Sequence, residues 1–565
     1  MLNRINISHQ KQLILVYVTL TLAALVVFWQ VNQFDFINFD DTFNITQNSH
    51  ILSGITLEGL RWAFSNTTEA QFWHPLTWLS LMFDYQLHGL NPSGFHLTNL
   101  ILHILSTLLL FWFFNRMTGE IWKSAFVAAI FALHPLHVET VTWIAKRKDV
   151  LSAFFWMLTL CLYVYYTEKV SIRRYLLVLF SFVCALMSKS MVVTLPVIMI
   201  LLDYWPLERF QSIRAKSILW QLREKIPFFI LSAIFSIITI YVRYNWDNPF
   251  VSNFPMRSRF VNAPVSFIIY LEKIFWPHDM AVFYPFSVQI PAWQVLGSTL
   301  LIIFISTTVI IAVKRLPYLF VGWFWYAITV LPVIGIIQVG IRAVSDNYTY
   351  LPSIGIAVML AWGIPFLFPN EEIRRKVLFP ASMAAILVLA ILTWRQCGYW
   401  KNSFELFEHA CVVTKNNYLA HNNFASALAE KGKIKEAIDN YNMAIRERPD
   451  LHLSYNGRGL AYDNLGQYQH AIEDYNHAIR LKSDYADAYY NRGNSYDALG
   501  QYQQAIKDYN EAIHLKPDYI QAYNNRGNAY FSKGDNGLGC RDAQKACALG
   551  NCRLLEFAKS QGRCR

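Results

Sequence analysis

Over the first 395 residues long apolar runs alternate with short charged segments, and after about residue 415 the pattern changes to amphipathic repeats. Apolar length places membrane-crossing helices near 13–31, 97–115, 124–144, 150–167, 175–188, 190–205, 227–243, 296–313, 317–336, 351–368 and 377–395, which is eleven crossings. As one helix, 175–205 would be roughly 46 Å long against a hydrocarbon core of about 30 Å. Ser188-Lys189-Ser190 in its middle therefore predicts a turn between two short helices. The stretch 264–285, PVSFIIYLEKIFWPHDMAVFYP, is amphipathic and broken by Pro277 and Pro285. It is expected to lie at or dip into one membrane face, with a hairpin of two spans as the alternative. The first run, Leu13 to Val31, has no convincing small-residue cleavage site after it and reads as a retained helix.

In the tail, Gly432, Gly466, Gly500 and Gly534 recur every 34 residues, as do Asn440/Tyr441, Asp474/Tyr475 and Asp508/Tyr509, with Pro449, Ser483 and Pro517 closing successive units. That is the period of tetratricopeptide repeats, paired helices stacked into a solenoid. The fold class is thus all-α: a polytopic membrane domain over 1–395, with a long outer loop at 32–96, a helical linker at 396–414, and an α-solenoid of four repeats at 415–565. The last repeat is atypical, and four of the eight cysteines, Cys540, Cys547, Cys552 and Cys564, fall within it. A terminal repeat has no neighbour to cover its outer face, so disulfides among these four are expected to staple it in an oxidising compartment. Metal binding by these cysteines is the alternative, without paired CxxC spacing to support it.

Composition agrees with this division: 54% of the residues are hydrophobic and 16% aromatic, too apolar for one soluble core. The net charge of +11 does not indicate nucleic acid, because the basic residues lie between apolar runs, where they set orientation. With the amino terminus inside, the inner loops carry Arg116 and Lys123; Lys169, Arg173 and Arg174; Arg209, Arg214, Lys216, Arg223 and Lys225; Lys314 and Arg315; and Arg374, Arg375 and Lys376. The same count puts the 32–96 loop and the tail outside.

On that outer face Asp40 and Asp41 stand side by side in FDFINFDDT, immediately after the first span. Two carboxylates among aromatics at a membrane surface are costly to desolvate, which marks them as catalytic candidates; the plain alternative is a solvated loop or a helix cap. Lys146, Arg147 and Lys148, Lys189, and Arg342 break the inner-side rule and share this face. They are snorkelling anchors or, taken together, contacts for a lipid phosphate at the membrane boundary. His74, His134, His137 and Glu139 add to the same face. His134-x-x-His137 is not the HExxH spacing, and Pro135 bends the backbone between them, so no metal site is assigned. Bonding to a sugar or phosphate, or satisfying backbone freed by Pro135, is the expected use of these histidines.

The ordered set WHPLT, LHPLHVE followed by W-x-x-K-R-K-D, ALMSKS with TLP and LLDYW, YLEKIFWPHDMAVFYP and SDNYTYLPSIG resembles the transmembrane and tetratricopeptide-repeat O-mannosyltransferases and their bacterial relatives, of the GT-C class of lipid-donor glycosyltransferases. The resemblance runs along nearly the whole chain. It implies Asp40 and Asp41 at the catalytic centre, His134, His137 and Glu139 lining the cavity, with Asp346 and Tyr348 in the same lining, and Arg147 and Lys189 on the donor phosphate. The chain departs from its relatives where they carry Asp-Arg-Tyr and it has Asp346-Asn347-Tyr348, and where they carry Ser-Lys-Glu and it has Ser188-Lys189-Ser190; Arg342 is the candidate to replace the missing arginine.

The expected chemistry is inverting transfer from a polyprenyl-phosphate sugar to Ser or Thr hydroxyls of exported proteins, with Asp40 or Asp41 as base and Lys146, Arg147, Lys189 and Arg342 at the phosphate. No cofactor is required; a divalent cation is compatible with the site but not demanded by a monophosphate. The repeats are expected to recruit the acceptor, in a bacterial inner membrane with site and repeats on the periplasmic side. Two other functions fit the same pattern, a non-enzymatic repeat scaffold for envelope or pilus assembly and a transferase or ligase for lipid-linked glycans.

Overall fold

Each of the eleven apolar runs folds as helix, continuous or broken, in the computed structural model, which describes residues 7–65, 73–211, 220–245, 255–285, 290–336, 342 and 344–564. Among the described residues, six helices are long and apolar enough to cross a membrane alone: His9–Gln33, Pro92–Thr118, Ile144–Glu168, Trp220–Val242, Ala292–Ile311 and Glu371–Gly398. Ile121–Leu133 and Pro135–Thr142, bent by 51° relative to each other, make a seventh if taken as one broken span. The count of eleven is therefore not reproduced by length and composition. Ser190–Tyr204, Pro317–Val333 and Pro352–Leu367 are apolar but shorter, and Ile172–Ser188 is a 17-residue helix that opens on Arg173 and Arg174.

The turn expected inside 175–205 is present. Ile172–Ser188 ends at Lys189, whose backbone is extended, and a 3-10 turn, Ser190–Thr194, leads into Leu195–Tyr204. The stretch containing 264–285 begins as the helix Met256–Phe275, with Pro264 inside it, and continues without regular structure to an isolated bridge between Pro285 and Arg342.

The division Met1–His409 and Ala410–Arg565 separates two compact units. In the first, Pro92–Thr118 and Ile144–Glu168 are more than half buried and form the centre, whereas Ala292–Ile311 and Glu371–Gly398 are only 6% buried. Leu110, Phe114, Trp156, Trp325 and Ile354 share the main core. Pro317–Val330 and Pro352–Leu367 approach so closely at Gly322 and Gly355 that a Cβ on either would strike the other's backbone carbonyl; small residues permit such crossings in membranes. The three shorter apolar helices all stop at one place: Thr194, Val333 and Pro352, at their ends, line the same cleft.

Basic residues assigned to the loops on the opposite side do more than set orientation. Lys225 is enclosed against Asp203 and Glu224, and Arg209 bridges the same two carboxylates at 3.1 and 2.6 Å. Arg214 and Lys216 lie outside the described residues.

In the second unit the 34-residue period appears as helix pairs: Tyr418–Glu430 with Ile434–Glu447, His452–Asn464 with Tyr468–Leu481, Ala486–Ala498 with Tyr502–Leu515, and Ile520–Ser532 with Asn536–Ala548. Gly432, Gly466, Gly500 and Gly534 occupy the turn within each pair at φ of +70 to +82°, the left-handed region that favours glycine. Arg458, Arg492 and Arg526 each hold an aspartate sixteen residues on, Asp474, Asp508 and Asp542, at 2.6–2.7 Å. The terminal cysteines pair as Cys540–Cys564 and Cys547–Cys552, closing the final helix Arg553–Ser560 against the last repeat.

Candidate active site

Neighbouring side chains in an irregular segment face different ways, and this separates the two aspartates that the sequence left equivalent. Asp41 is fully enclosed: its Oδ2 accepts the Ile37 N–H at 2.9 Å and its Oδ1 accepts the Ala145 N–H at 2.8 Å. It fastens the 34–41 loop to the first turn of Ile144–Glu168. Burial raises its carboxyl to about 7, against the opposing pull of those two N–H donors, and the neighbouring Asp40 charge raises it further. Asp40 is part-exposed. Its electrostatic neighbour is Lys148, which also adjoins Lys146, Asp149 and Lys189.

The raised Asp41 carboxyl has a consequence for stability. Folded Asp41 keeps its proton up to about pH 7, whereas the unfolded side chain loses it near 3.8. The native state binds more protons between those values, so stability falls as pH rises from about 4 to about 7. Asp41→Asn is expected to flatten that limb of a thermal-midpoint against pH curve recorded in detergent.

Around the cleft the structure gathers most of the sequence-assigned cations. Glu139 is buried between Lys146, at 3.2 Å, and Arg342, at 3.5 Å, and also accepts the Ser345 hydroxyl and the Asn347 N–H at 3.3 Å. Lys189 pairs with Asp149, which accepts from Asn347 Nδ2 at 3.3 Å. Asn347 therefore ties the two carboxylates together from the position where relatives carry arginine. Tyr348 lines the cleft with Asp149, Lys189 and Asn347, and the Lys189 ammonium lies 5.6 Å from its ring centre. The remaining wall is mixed, with Met191, Val192, Val333, Leu351 and Pro352 beside Ser152, Thr194, Thr329 and Tyr350. His74 is buried, and burial first, then Lys148 and Lys189, holds its imidazole well below the ordinary range, so it is neutral there.

Three assignments change. Arg147 does not face the cleft. Its guanidinium is completely enclosed, paired with Asp84 at 2.6 Å and donating to Asn99 Oδ1, Ser80 Oγ and the Phe95 carbonyl. It is a structural cation between helices, since each of its three nitrogens is already engaged. His134 and His137 are also buried away from the cleft. Pro135 has no N–H for the Phe131 carbonyl four residues before it, and His137 Nδ1 donates there instead, at 2.8 Å. His134 Nε2 donates to the Ile274 carbonyl at 2.9 Å while its Nδ1 accepts the Leu136 N–H. Asp346 faces neither base nor donor site: Lys273, at 3.1 Å, and the Tyr284 hydroxyl, at 2.7 Å, hold its two oxygens. Among the described residues no three His, Cys, Asp or Glu side chains converge as a metal site.

Asp149 and Asn347 at the cleft, and Lys273 and Tyr284 around Asp346, were not assigned from sequence, whereas Lys148 was named with Lys146 and Arg147. All lie within the quoted motifs, so the signal was present, but a motif does not say which of its residues face one another.

The model for "TPR repeat" matches residues 464–500 and 493–534. The chain is 25% identical over 401 residues to the protein O-mannosyl-transferase F38B6.6 of Caenorhabditis elegans, covering 68% of this chain and 55% of the relative. It is 25% identical over 471 residues to human protein O-mannosyl-transferase TMTC1, covering 73% and 52%, and 25% identical over 490 residues to human TMTC4, covering 74% and 64%. The chain thus spans between about half and two thirds of the length of the curated relatives it matches. Among solved structures, the crystal structure of MamA is 26% identical over 28% of this chain and 89% of its own, with a TM-score of 0.25. The homologues of this chain are protein O-mannosyl-transferases, the family that its ordered membrane motifs and repeats resemble.

Proposed function

We propose that this chain is an integral membrane glycosyltransferase that moves a sugar, mannose by analogy with the names of its relatives, from a polyprenyl phosphate to Ser or Thr hydroxyls of exported proteins. The observation that carries this reading is the placing of one part-exposed carboxylate, Asp40, within electrostatic reach of Lys148, itself a neighbour of Lys146 and of Lys189, which lines the cleft. Asp40 takes the hydroxyl proton as the acceptor oxygen bonds to the anomeric carbon. The bond from that carbon to the phosphate oxygen breaks, and the electron pair stays on the phosphate, where Lys189, Lys146 and Arg342 meet the developing charge. Attack from the face opposite the leaving phosphate inverts the anomeric centre. Lys146, Lys148, Lys189 and Arg342 face Glu139, Asp149 and Asp40, a small positive excess that suits the single charge of a phosphodiester better than a pyrophosphate. The repeats recruit the acceptor, and the site and repeats occupy the periplasmic side of a bacterial inner membrane.

Glycopeptide mass spectrometry of exported proteins tests this reading, comparing cells with the normal chain, Asp40→Asn, and a truncation before residue 415. Loss of a hexose-sized increment on Ser or Thr in Asp40→Asn supports transfer. Unchanged glycan masses in Asp40→Asn, with a defect only on truncation, would leave the scaffold. Among the described residues the Arg342 side chain makes only long polar contacts, to Glu139 at 3.5 Å and to the Ser345 hydroxyl at 3.3 Å. Arg342→Gln is expected to raise the KM for a polyprenyl-phosphate mannose about tenfold, within the range for a hydrogen bond to a charged group, with the thermal midpoint unchanged.

A further inference from the structure

The loop that carries Asp40 makes little regular structure of its own. From Phe34 to Asn38 it has no helix, and its backbone N–H groups must be satisfied by other parts of the chain. One side is held by Asp41, as described. The other side is held by the segment that follows the last membrane helix. The Asp35 N–H donates to the Lys401 carbonyl at 3.0 Å, and the Asn38 N–H donates to Ser403 Oγ at 2.7 Å. The Phe39 ring lies 6.0 Å from Trp143 and 6.2 Å from the buried Phe407, and Trp143 in turn lies 5.6 Å from Trp400.

The same short segment reaches the loop around Met280, which follows the helix Met256–Phe275. Gln396 Nε2, at 3.4 Å, and the His409 imidazole, at 3.1 Å, both bond the Met280 carbonyl, and His409 stacks on Tyr399 with centres 3.6 Å apart. Four residues beyond Met280 is Tyr284, which fixes Asp346. One stretch of about fourteen residues thus grips both the carboxylate loop and the loop opposite it.

We infer that Ser403 and Phe407 are positioning residues for Asp40, the Gln396–His409 stretch acting as the clamp that fixes the angle at which the carboxylate meets the acceptor hydroxyl. The inference rests on Asp40 being the base. Ser403 takes no part in proton transfer itself: its hydroxyl oxygen fixes the Asn38 N–H two residues before Asp40, while Phe407 backs the ring of the residue immediately before it. Displacing a base by even an ångström costs rate far more than it costs binding of the other substrate, so the signature lies in kcat.

The test uses the full chain in detergent or nanodiscs, with synthetic polyprenyl-phosphate mannose as donor and a Ser/Thr-rich peptide as acceptor. Ser403→Ala is expected to lower kcat about 10- to 100-fold, leaving the donor KM within about twofold and the thermal midpoint unchanged. Phe407→Leu, which keeps most of the buried apolar volume that Phe407→Ala would empty, is expected to lower kcat in the same direction. Ser403→Thr, which keeps the hydroxyl, is expected to restore most of the rate. Equal rates for Ser403→Ala and the normal chain would overturn the inference. So would a loss that appears in donor KM, follows the thermal midpoint, or is not relieved by Ser403→Thr. Asp40→Asn run alongside separates the two readings. If it remains active, Asp40 is not the base. If it is inactive while Ser403→Ala is fully active, the clamp alone is wrong.

Discussion

Asp40→Asn is expected to lower kcat for sugar transfer by about 10²–10⁴-fold, the range for removing a general base, while the protein still inserts and melts normally. The side chain is part-exposed, and none of the hydrogen bonds that fasten the loop on either side of it uses its carboxylate. Asparagine keeps its shape but removes both the ability to take a proton and the charge beside Lys148 and Asp41. Asp41→Asn makes the informative contrast. An amide can accept one of the two N–H bonds but presents a donor to the other, so that variant is expected to loosen the loop and change the pH dependence of stability. Measuring rate and thermal midpoint on both variants distinguishes chemistry from scaffolding. Full activity in Asp40→Asn, or an equal loss of stability in both, would contradict the assignment.

Arg147→Met is expected to destabilise the membrane unit by about 3–5 kcal/mol, because it leaves a buried carboxylate without its partner. Arg147 is 0% exposed, and Asp84, 1% exposed, is its ion-pair partner. Asn99, which accepts from Arg147, donates to the Val141 and Trp143 carbonyls, so the loss also reaches the turn that supports Asp41. Reduced yield of monodisperse protein and a lower thermal midpoint are the expected readouts. The double variant Asp84→Leu with Arg147→Met is expected to recover much of the stability, since removing both charges removes the unpaired one. A donor-phosphate role for Arg147 predicts the opposite: normal stability, a raised donor KM, and no rescue by the change at Asp84.

Lys146, Arg147 and Lys148 illustrate what the sequence does and does not contain. Their membrane-boundary position follows from the apolar runs on either side, and so does the presence of a basic cluster at the site. Successive residues at a helix start differ by about 100° in direction, so three adjacent cations cannot all face one ligand. Lys146 turns to Glu139, Arg147 into the helices at Asp84, and Lys148 is the neighbour of Asp40. Choosing among them needs the positions of Glu139, Asp84 and Asp40 in space. His137 is a different case. Pro135 removes the N–H that the Phe131 carbonyl lacks, so the use of a histidine there as a backbone donor was legible in local sequence, one of two uses expected for it. The repeats were legible in full, because each depends on residues within 34 positions of one another. The clamp at Ser403 was not, since it joins positions 365 residues apart.

The three short helices that stop at the cleft set its depth. At 1.5 Å per residue, helices of this length reach about 22–26 Å, several ångströms less than the hydrocarbon thickness. Each has an end at the cleft, near Thr194, Val333 and Pro352. With their far ends at the opposite membrane surface, the cationic rim would be sunk beneath the level of the surrounding headgroups, like the floor of a well. An isoprenoid anchor can present its phosphate there without withdrawing methylenes from oil, each of which would cost about 0.8 kcal/mol to expose. Under the proposed function the burden of travel falls on the protein substrate, which must descend to the sugar. A broad folded surface is too blunt to make that descent, and a slender loop or an unfolded strand is not.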